Sequence, residues 1–432
     1  MPEKYRKIHV VGERGIGVSA LARVLGAHGA IISGSDIETG GHRAENVPPD
    51  ADLLIYSNAI PDTNPERMRA AELKIPELSY PEALGWLARG KRVIAVAGTN
   101  GKTTTTAMIG WIMEQAGLDP TVVVGSKVLA WNSNARVGRS DWLVLEADEY
   151  RRAFLNYEPD IAVITNISAD HLDYYKDFED IKTAFFQFTQ KLRPSGTLVY
   201  NVDDENAVWI AEKFQGQAIG FASKSSRFDL KIPGAFNKAN AAAAAAVCQI
   251  LGVPQREISK ALESFSGTWR RFERVGNTGS AEIISDYAHH PDGVRVTLIA
   301  AAEAHDPKKI LAVFQPHQRN RTKKLFTEFV EAFCASQVED SIISEIFDVA
   351  GREQAQDQDI SSRDLVRELR KCGKNAAYAA DLRDCEKMIR EIAQNYEVII
   401  IMGAGDIYKV ADALASAIPD SIRDPALGKV EI

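Results

Sequence analysis

Cysteine is scarce in this chain. Four occur in 432 residues, Cys248, Cys334, Cys372 and Cys385. No two form a C-x-x-C pair, so neither a zinc site nor a disulfide framework is indicated, and four reduced thiols are expected. Long apolar runs are also lacking. The longest, Ala241 to Leu251, is too short and too rich in alanine to span a bilayer. No apolar leader follows Met1, only the short segment Ile8 to Val11, so the expected location is the cytoplasm. An excess of basic residues is missing as well. Lys plus Arg number 51 against 59 Asp plus Glu, a net charge of −8, which argues against nucleic acid or a membrane as partner. No period of 20–50 residues repeats, which excludes a solenoid.

Apolar residues make up 45% and charged residues 25%, the balance of a soluble globular protein. The length exceeds what one hydrophobic core serves, so two or three domains are expected. Apolar strands and amphipathic helices alternate throughout, which implies α/β architecture. Candidate strands are Lys7–Val11, 30–33, Leu53–Tyr56, 93–97, 142–145, 161–165, 283–285, Ile310–Phe314, Asp340–Ser344 and Val398–Met402. Candidate helices cover 18–28, the stretch up to Gln115, 240–251 and a segment from about Asp406. In such sheets ligands collect outside the carboxyl ends of the strands.

Chemistry-bearing motifs follow these strands. Gly98-Thr99-Asn100-Gly101-Lys102-Thr103-Thr104 lies between a strand and a helix. Glycines let backbone N–H groups face phosphate oxygens, and the helix directs its positive end at the same anion. Lys102 is placed for terminal phosphates and Thr103 for Mg²⁺. The first glycine of the general phosphate loop would fall at Val96, so this is a shortened variant. Glu146-Ala147-Asp148-Glu149 ends the next apolar run and suits a metal. Thr165-Asn166 with Asp170-His171 ends another. Near the N-terminus, Gly12, Gly15 and Gly17 with Asp36 depart from the G-x-G-x-x-G spacing, so a diphosphate-bearing ligand fits as well as a nicotinamide cofactor. Asp286-Tyr287-Ala288-His289-His290-Pro291 and Gln315-Pro316-His317-Gln318-Arg319-Asn320-Arg321 follow later strands, and their arginines suit a carboxylate.

Together with Gly34-Ser35-Asp36, His42, Ser57-Asn58-Ala59-Ile60, Asn64-Pro65-Glu66, Asn237, Asn240, Arg270-Arg271-Phe272 and Gly403-Ala404-Gly405-Asp406, these motifs resemble the Mur ligase family over almost the whole chain. The resemblance implies three domains. These are a Rossmann-like UDP-sugar domain over 1–89, a central P-loop ATPase-like α/β domain over 90–268, and a C-terminal Rossmann-like amino-acid domain over 269–432. It implies an ADP-forming amide ligase of peptidoglycan precursor synthesis that uses ATP and Mg²⁺. The lactyl carboxylate of UDP-N-acetylmuramate becomes an acyl phosphate, and an amino acid, L-alanine, supplies the attacking amine.

By the same resemblance Gly12, Gly15, Ile16, Gly17, Ser35, Asp36, His42, Ser57 and Ala59 contact the UDP-sugar. Gly98 to Thr104, Asn237, Asn240, Arg271 and Asp286 contact ATP. Thr103, Glu146 and His171 hold metal, and His289, Arg319 and Arg321 receive the amino acid. Lys102, Glu146, His171, His289 and Arg321 are the catalytic set. Phe185 and Phe186 stand where other branches carry a carbamate-modified lysine, and Gln318 stands at a usual arginine position. A monomer or weak dimer is expected. Asp148-Glu149-Tyr150 keeps open a recycling ligase that attaches a whole peptide. Readings of other classes are a non-catalytic nucleotide switch and a nicotinamide-dependent dehydrogenase.

Overall fold

The computed structural model describes residues 5–172, 174–222, 228–348 and 359–416. The chain divides into two compact units. One holds the chain up to Lys231 together with Phe236–Thr268, and the other holds Ile232–Ala235 and the chain from Trp269 onward.

The first unit contains two sheets. One has four parallel strands: β1 Lys7–Val11, β2 Ile31–Ser35, β3 Leu53–Tyr56 and β4 Glu77–Ser79, in the order β2-β1-β3-β4. The other has seven: β5 Arg92–Ala97, β6 Thr121–Val128, β7 Ser133–Arg136, β8 Trp142–Glu146, β9 Ile161–Ile164, β10 Thr197–Asn201 and β11 Gln217–Phe221. Their order is β11-β10-β9-β5-β8-β6-β7, with β7 antiparallel and the rest parallel.

Strand β5 sits in the middle because its sequence permits nothing else. Val93, Ile94, Ala95, Val96 and Ala97 are all fully buried, as a strand covered on both faces requires. Each buried valine or isoleucine contributes about 1.5–3 kcal/mol relative to exposure. The chain leaves β5 and fills the β8 side first, then the β9 side. This reversal of direction opens a crevice at the carboxyl end of β5.

The second unit carries β12 Glu273–Thr278, β13 Ala281–Asp286, β14 Ile310–Phe314, β15 Asp340–Ser344, β16 Asn375–Ala379 and β17 Val398–Met402. Their order is β12-β13-β17-β14-β15-β16, and only β12 among them runs antiparallel. Among the described residues no helix is long and apolar enough to cross a membrane.

The cysteine expectation is corrected here. Cys334 and Cys372 form a disulfide with Cα atoms 6.1 Å apart, while Cys248 and Cys385 are buried free thiols. Cys334 ends the helix Phe326–Cys334 and Cys372 follows the helix Ser362–Lys371. Packing of the two helix ends brings the pair together across 38 residues of sequence, a separation that no short motif encodes. Thiol titration of the denatured, unreduced protein is therefore expected to count two thiols, and four after reduction. Four before reduction would mean that the bridge does not form in solution.

Candidate active site

The crevice at the end of β5 is built on glycine. Gly98 has φ 137° and Gly101 φ 86°, both in the left-handed region. A Cβ at Gly98 would lie 1.9 Å from Thr165 Oγ1, and one at Gly101 2.3 Å from Asn240 Oδ1. The helix Lys102–Gln115 begins at Gly101 with no side-chain cap, so its first-turn amides are left for an anion.

Two residues from the end of β9 hold the loop. Asn166 accepts from Asn100 N at 3.0 Å and donates to Asn100 O at 2.9 Å, and Thr165 Oγ1 donates to Asn100 O at 2.6 Å. Thr99 N donates to Asn166 O at 2.9 Å. Thr104 lies buried in the first turn, and Thr105 Oγ1 donates to Asn240 Oδ1 at 3.3 Å, with Asn237 a turn earlier on the same helix.

Lys102 curls back over the loop. Its ammonium donates to Gly98 O at 2.7 Å and to Glu149 at 2.8 and 3.0 Å. Burial pushes Glu149 up to about 7, against the pull of Lys102. Burial would lower Lys102, but Glu149, Asp148 and Glu146 outweigh it and raise its pKa. Lys102 therefore stays charged.

Two sets of donors suit cations. Thr103 Oγ1 donates to Glu146 Oε1 at 3.0 Å, and Gly125 N donates to the other Glu146 oxygen at 2.7 Å. A Cβ on Gly125 would press on that carboxylate, so glycine makes the room. Asp148, Glu149 and His171 offer ligand atoms within 4.8 Å of one another. His171 is held at φ 54°, with its ring against Tyr150 at a centroid distance of 4.7 Å. The Thr103 hydroxyl and the carboxylates of Glu146, Asp148 and Glu149 are the oxygen donors a hard divalent ion such as Mg²⁺ prefers, with the His171 imidazole an added nitrogen donor, so the residues fit the metal.

In the first sheet the expected residues gather at the ends of β1, β2 and β3. Gly12 turns at φ 81°, and a Cβ there would lie 3.2 Å from the Ser57 Cβ. Gly15 precedes the helix Ile16–Ala27, whose first residue Ile16 is exposed. Gly17 has another reason to be glycine: a Cβ would lie 2.7 Å from the Tyr80 ring. Asp36 accepts from Arg14 N and Glu38 N, both at 3.1 Å, which closes the turn after β2. Ala59 N donates to Ser57 Oγ at 3.4 Å. Ser35 and His42 share a hydrogen bond of 3.2 Å.

In the second unit Asp286 ends β13, and its carboxylate accepts from Phe272 N, Ala288 N and Thr297 Oγ1. It shapes its own turn. Arg271 lies over the Tyr287 ring at 4.8 Å. The His289 imidazole is pushed down to about 3 by burial, with the charge of Arg321 adding to the effect. Its Nδ1 faces Tyr287 O at 3.1 Å. A carbonyl only accepts, so Nδ1 carries the proton and Nε2 the lone pair. Arg321 Nη1 sits 3.3 Å from His317 Nδ1. Arg319 is committed elsewhere, to Asp348 at 3.0 Å and Ile360 O at 2.6 Å. Gln318, at φ 69°, adopts a backbone that favours glycine.

Family models for the Mur ligase family catalytic domain, the Mur ligase middle domain and the Mur ligase glutamate ligase domain match residues 7–92, 96–227 and 270–405. A UDP-N-acetylmuramate–L-alanine ligase of Sulfurihydrogenibium sp. is 37% identical over 95% of this chain and 98% of its own. The chain belongs to the Mur ligase family. A protein of the same name from Desulfitobacterium hafniense is 38% identical over 94% of this chain and 99% of its own. The solved UDP-N-acetylmuramate–alanine ligase of Thermotoga maritima matches at a TM-score of 0.80 with 28% identity, covering 94% of this chain and 98% of that one. A murein peptide ligase from Psychrobacter arcticus shares the fold at 0.68 and 21% identity, covering 95% of this chain and 99% of that one.

Within this Mur ligase frame, Phe185 is fully buried, edge-on to Phe154 at 5.3 Å, and Phe186 packs on Trp209. A charged lysine carbamate has no place in that core. Glu149, with Asp148, stands in the acidic motif read as suiting a metal but was not among the residues assigned to one. Its motif was visible, but its burial and its pairing with Lys102 depend on the loop folding over it.

Replacing Gly98 by Ala is expected to abolish ATP-dependent phosphate release, because the Cβ meets Thr165 and the backbone is left-handed. Lys102→Ala should lower the rate at least ~10²-fold and also lower the melting temperature, because Glu149 is left buried without its cation. His289 gives a pH signature. Its folded pKa lies below the unfolded value, so the unfolded chain binds more protons between about pH 6.5 and 3, and stability falls as pH drops through that window. His289→Asn should flatten this loss in a thermal melt series. An unchanged slope would mean that His289 is not buried neutral.

Proposed function

We propose that this chain joins L-alanine to UDP-N-acetylmuramate at the expense of ATP. The observation that carries the reading is the convergence of the uncapped glycine loop, Lys102 and two carboxylate-bearing donor sets at the carboxyl ends of β5, β8 and β9. Near-full-length relatives bearing that activity in their names support it.

In this mechanism the loop amides and Lys102 bind the polyphosphate of ATP. Lys102 turns from Glu149 to the transferring phosphoryl group, and Glu149 is released toward a cation. Thr103 and Glu146 would hold one Mg²⁺; Asp148, Glu149 and His171 would hold a second. When bound there, Mg²⁺ would supply positive charge that offsets the negative charge developing during phosphoryl transfer. Asn237 and Asn240, beside the loop, serve the adenine side; Arg271 and Asp286 are assigned to ATP by the family resemblance alone. The ends of β1, β2 and β3 receive the UDP-sugar through Gly12, Gly15, Ile16, Gly17, Ser35, Asp36, His42, Ser57 and Ala59. His289 presents a neutral acceptor nitrogen to the amine, and Arg321 balances the amino acid's carboxylate. Arg319, held by Asp348, positions the segment that carries Arg321. A cytoplasmic location follows from the substrates.

The test is phosphate release with ATP, Mg²⁺ and UDP-N-acetylmuramate, adding L-alanine, glycine, L-serine or a murein tripeptide in turn. L-alanine should give the highest kcat/KM, with a matching mass gain in the UDP-sugar. Stimulation by the tripeptide alone would sink the L-alanine reading, and release independent of any carboxylate substrate would sink the ligase reading.

A further inference from the structure

The helix Pro65–Glu72 places a buried carboxylate outside the phosphate-loop site. Glu66 is fully buried in the first sheet's domain, at the second position of that helix, with its N–H donating to the Asn64 side chain at 2.9 Å. Oε2 accepts from His9 Nε2 at 2.9 Å and from Ser35 Oγ at 2.6 Å. Oε1 accepts from Asn46 Nδ2 at 2.8 Å, Arg43 N at 3.1 Å and His42 Nδ1 at 3.3 Å. Five donors saturate the roughly four lone-pair sites of a carboxylate. Burial would raise its pKa, yet His9, Ser35 and Asn46 hold it down at about 2. The group is an anion at any working pH.

Three of the five donors, His42, Arg43 and Asn46, lie on the segment between β2 and β3. That segment has little else to hold it. It contains two short 3₁₀ turns, Ile37–Thr39 and Ala44–Asn46, and the left-handed pair Gly40 and Gly41. Of residues 36–47, Asp36 and Val47 are the two that are buried. A loop with so small an apolar anchor is fixed by hydrogen bonds or not at all. The same bonds set one ring. His42 Nδ1 faces the Glu66 carboxylate and a Ser35 hydroxyl whose proton already goes to Glu66. Nδ1 therefore carries a proton, and the ring is held by that edge.

We propose that Glu66 is the positioning residue of the sugar-nucleotide site. Its buried charge holds the loop 36–47 and the His42 ring in the shape that receives the UDP-sugar, and it takes no part in phosphoryl transfer. The proposal rests on the reading that the ends of β1, β2 and β3 bind UDP-N-acetylmuramate.

The test uses the full-length enzyme. Glu66→Gln keeps the volume but turns an amide toward groups that are themselves donors. It should raise KM for UDP-N-acetylmuramate about tenfold or more, the scale of a lost charged hydrogen bond, with kcat and the KM for ATP within about twofold. A global packing defect would move all three together, and that result would overturn the proposal, as would an unchanged KM. Asn46→Ala, which removes one donor from the partly buried loop, is the milder companion should Glu66→Gln not fold. It should raise the same KM severalfold and no other parameter, and a flat result overturns the proposal. Calorimetric titration of the wild type with UDP-N-acetylmuramate separates the two levels. No binding there overturns the sugar-nucleotide reading itself. Wild-type binding matched by Glu66→Gln overturns only the role of Glu66.

Discussion

A lysine and a glutamate, both withdrawn from solvent, meet at 2.8 Å where the phosphate loop faces the end of β8. Neither would be tolerated there alone, since an unpaired buried charge is strongly destabilising. Lys102 also closes the loop onto Gly98 O, and Glu149 receives the Tyr175 hydroxyl at its backbone carbonyl. The pair therefore ties loop, β8 and the segment after His171 into one arrangement. It also keeps a cation and an anion poised at the place where a polyphosphate and a metal would each take one of them. Stability and chemistry draw on the same two charges.

Backbone strain collects around this arrangement. Arg151 and Arg152, separated from Glu149 by one residue, are consecutive left-handed residues, and His171 is a third. Each costs of order 1 kcal/mol or more, and each is fixed by its surroundings. Arg152 is held by Asp180 and Gln187, and Arg151 lies over Tyr150, which packs on His171. In the second unit Arg270 and Phe272 repeat the pattern. The Arg270 guanidinium is buried among Trp269, Tyr287 and Tyr408 and donates to Gly403 O and Gly405 O. The arginine that opens this unit thus anchors the glycine turn near its end.

The glycines divide by purpose. Gly98 and Gly101 are required by φ and by close neighbours, Gly125 makes room for a carboxylate, and Gly17 receives a tyrosine ring. A motif string treats these as equivalent. Only the neighbour each glycine meets tells a phosphate turn from a packing contact.

Much of the frame was legible in the chain itself. Lys7–Val11, Leu53–Tyr56, Ile310–Phe314, Asp340–Ser344 and Val398–Met402 are strands with the bounds expected, because fully buried parallel strands are written as short apolar runs. The strand 30–33 runs in fact to Ser35, its end masked by Gly34, and the helix expected from Asn240 begins at Ala235, since asparagine is a weak helix former. Edge and near-edge strands such as Gln217–Phe221, Asn375–Ala379 and the three-residue Glu77–Ser79 went unseen, being half exposed and lacking an apolar run. The buried run opening Thr121–Val128 was legible and was passed over. Local sequence determined the glycine loop, the order of the motifs and their places after strands, because each depends on neighbours a few residues away. Tertiary structure alone decided that Glu149 faces Lys102, that Glu66 gathers two histidines and a loop, that Arg319 is spent on Asp348, and that Cys334 meets Cys372. In each case the partners lie 29 or more residues apart or in separate elements, and only packing brings them within bonding distance.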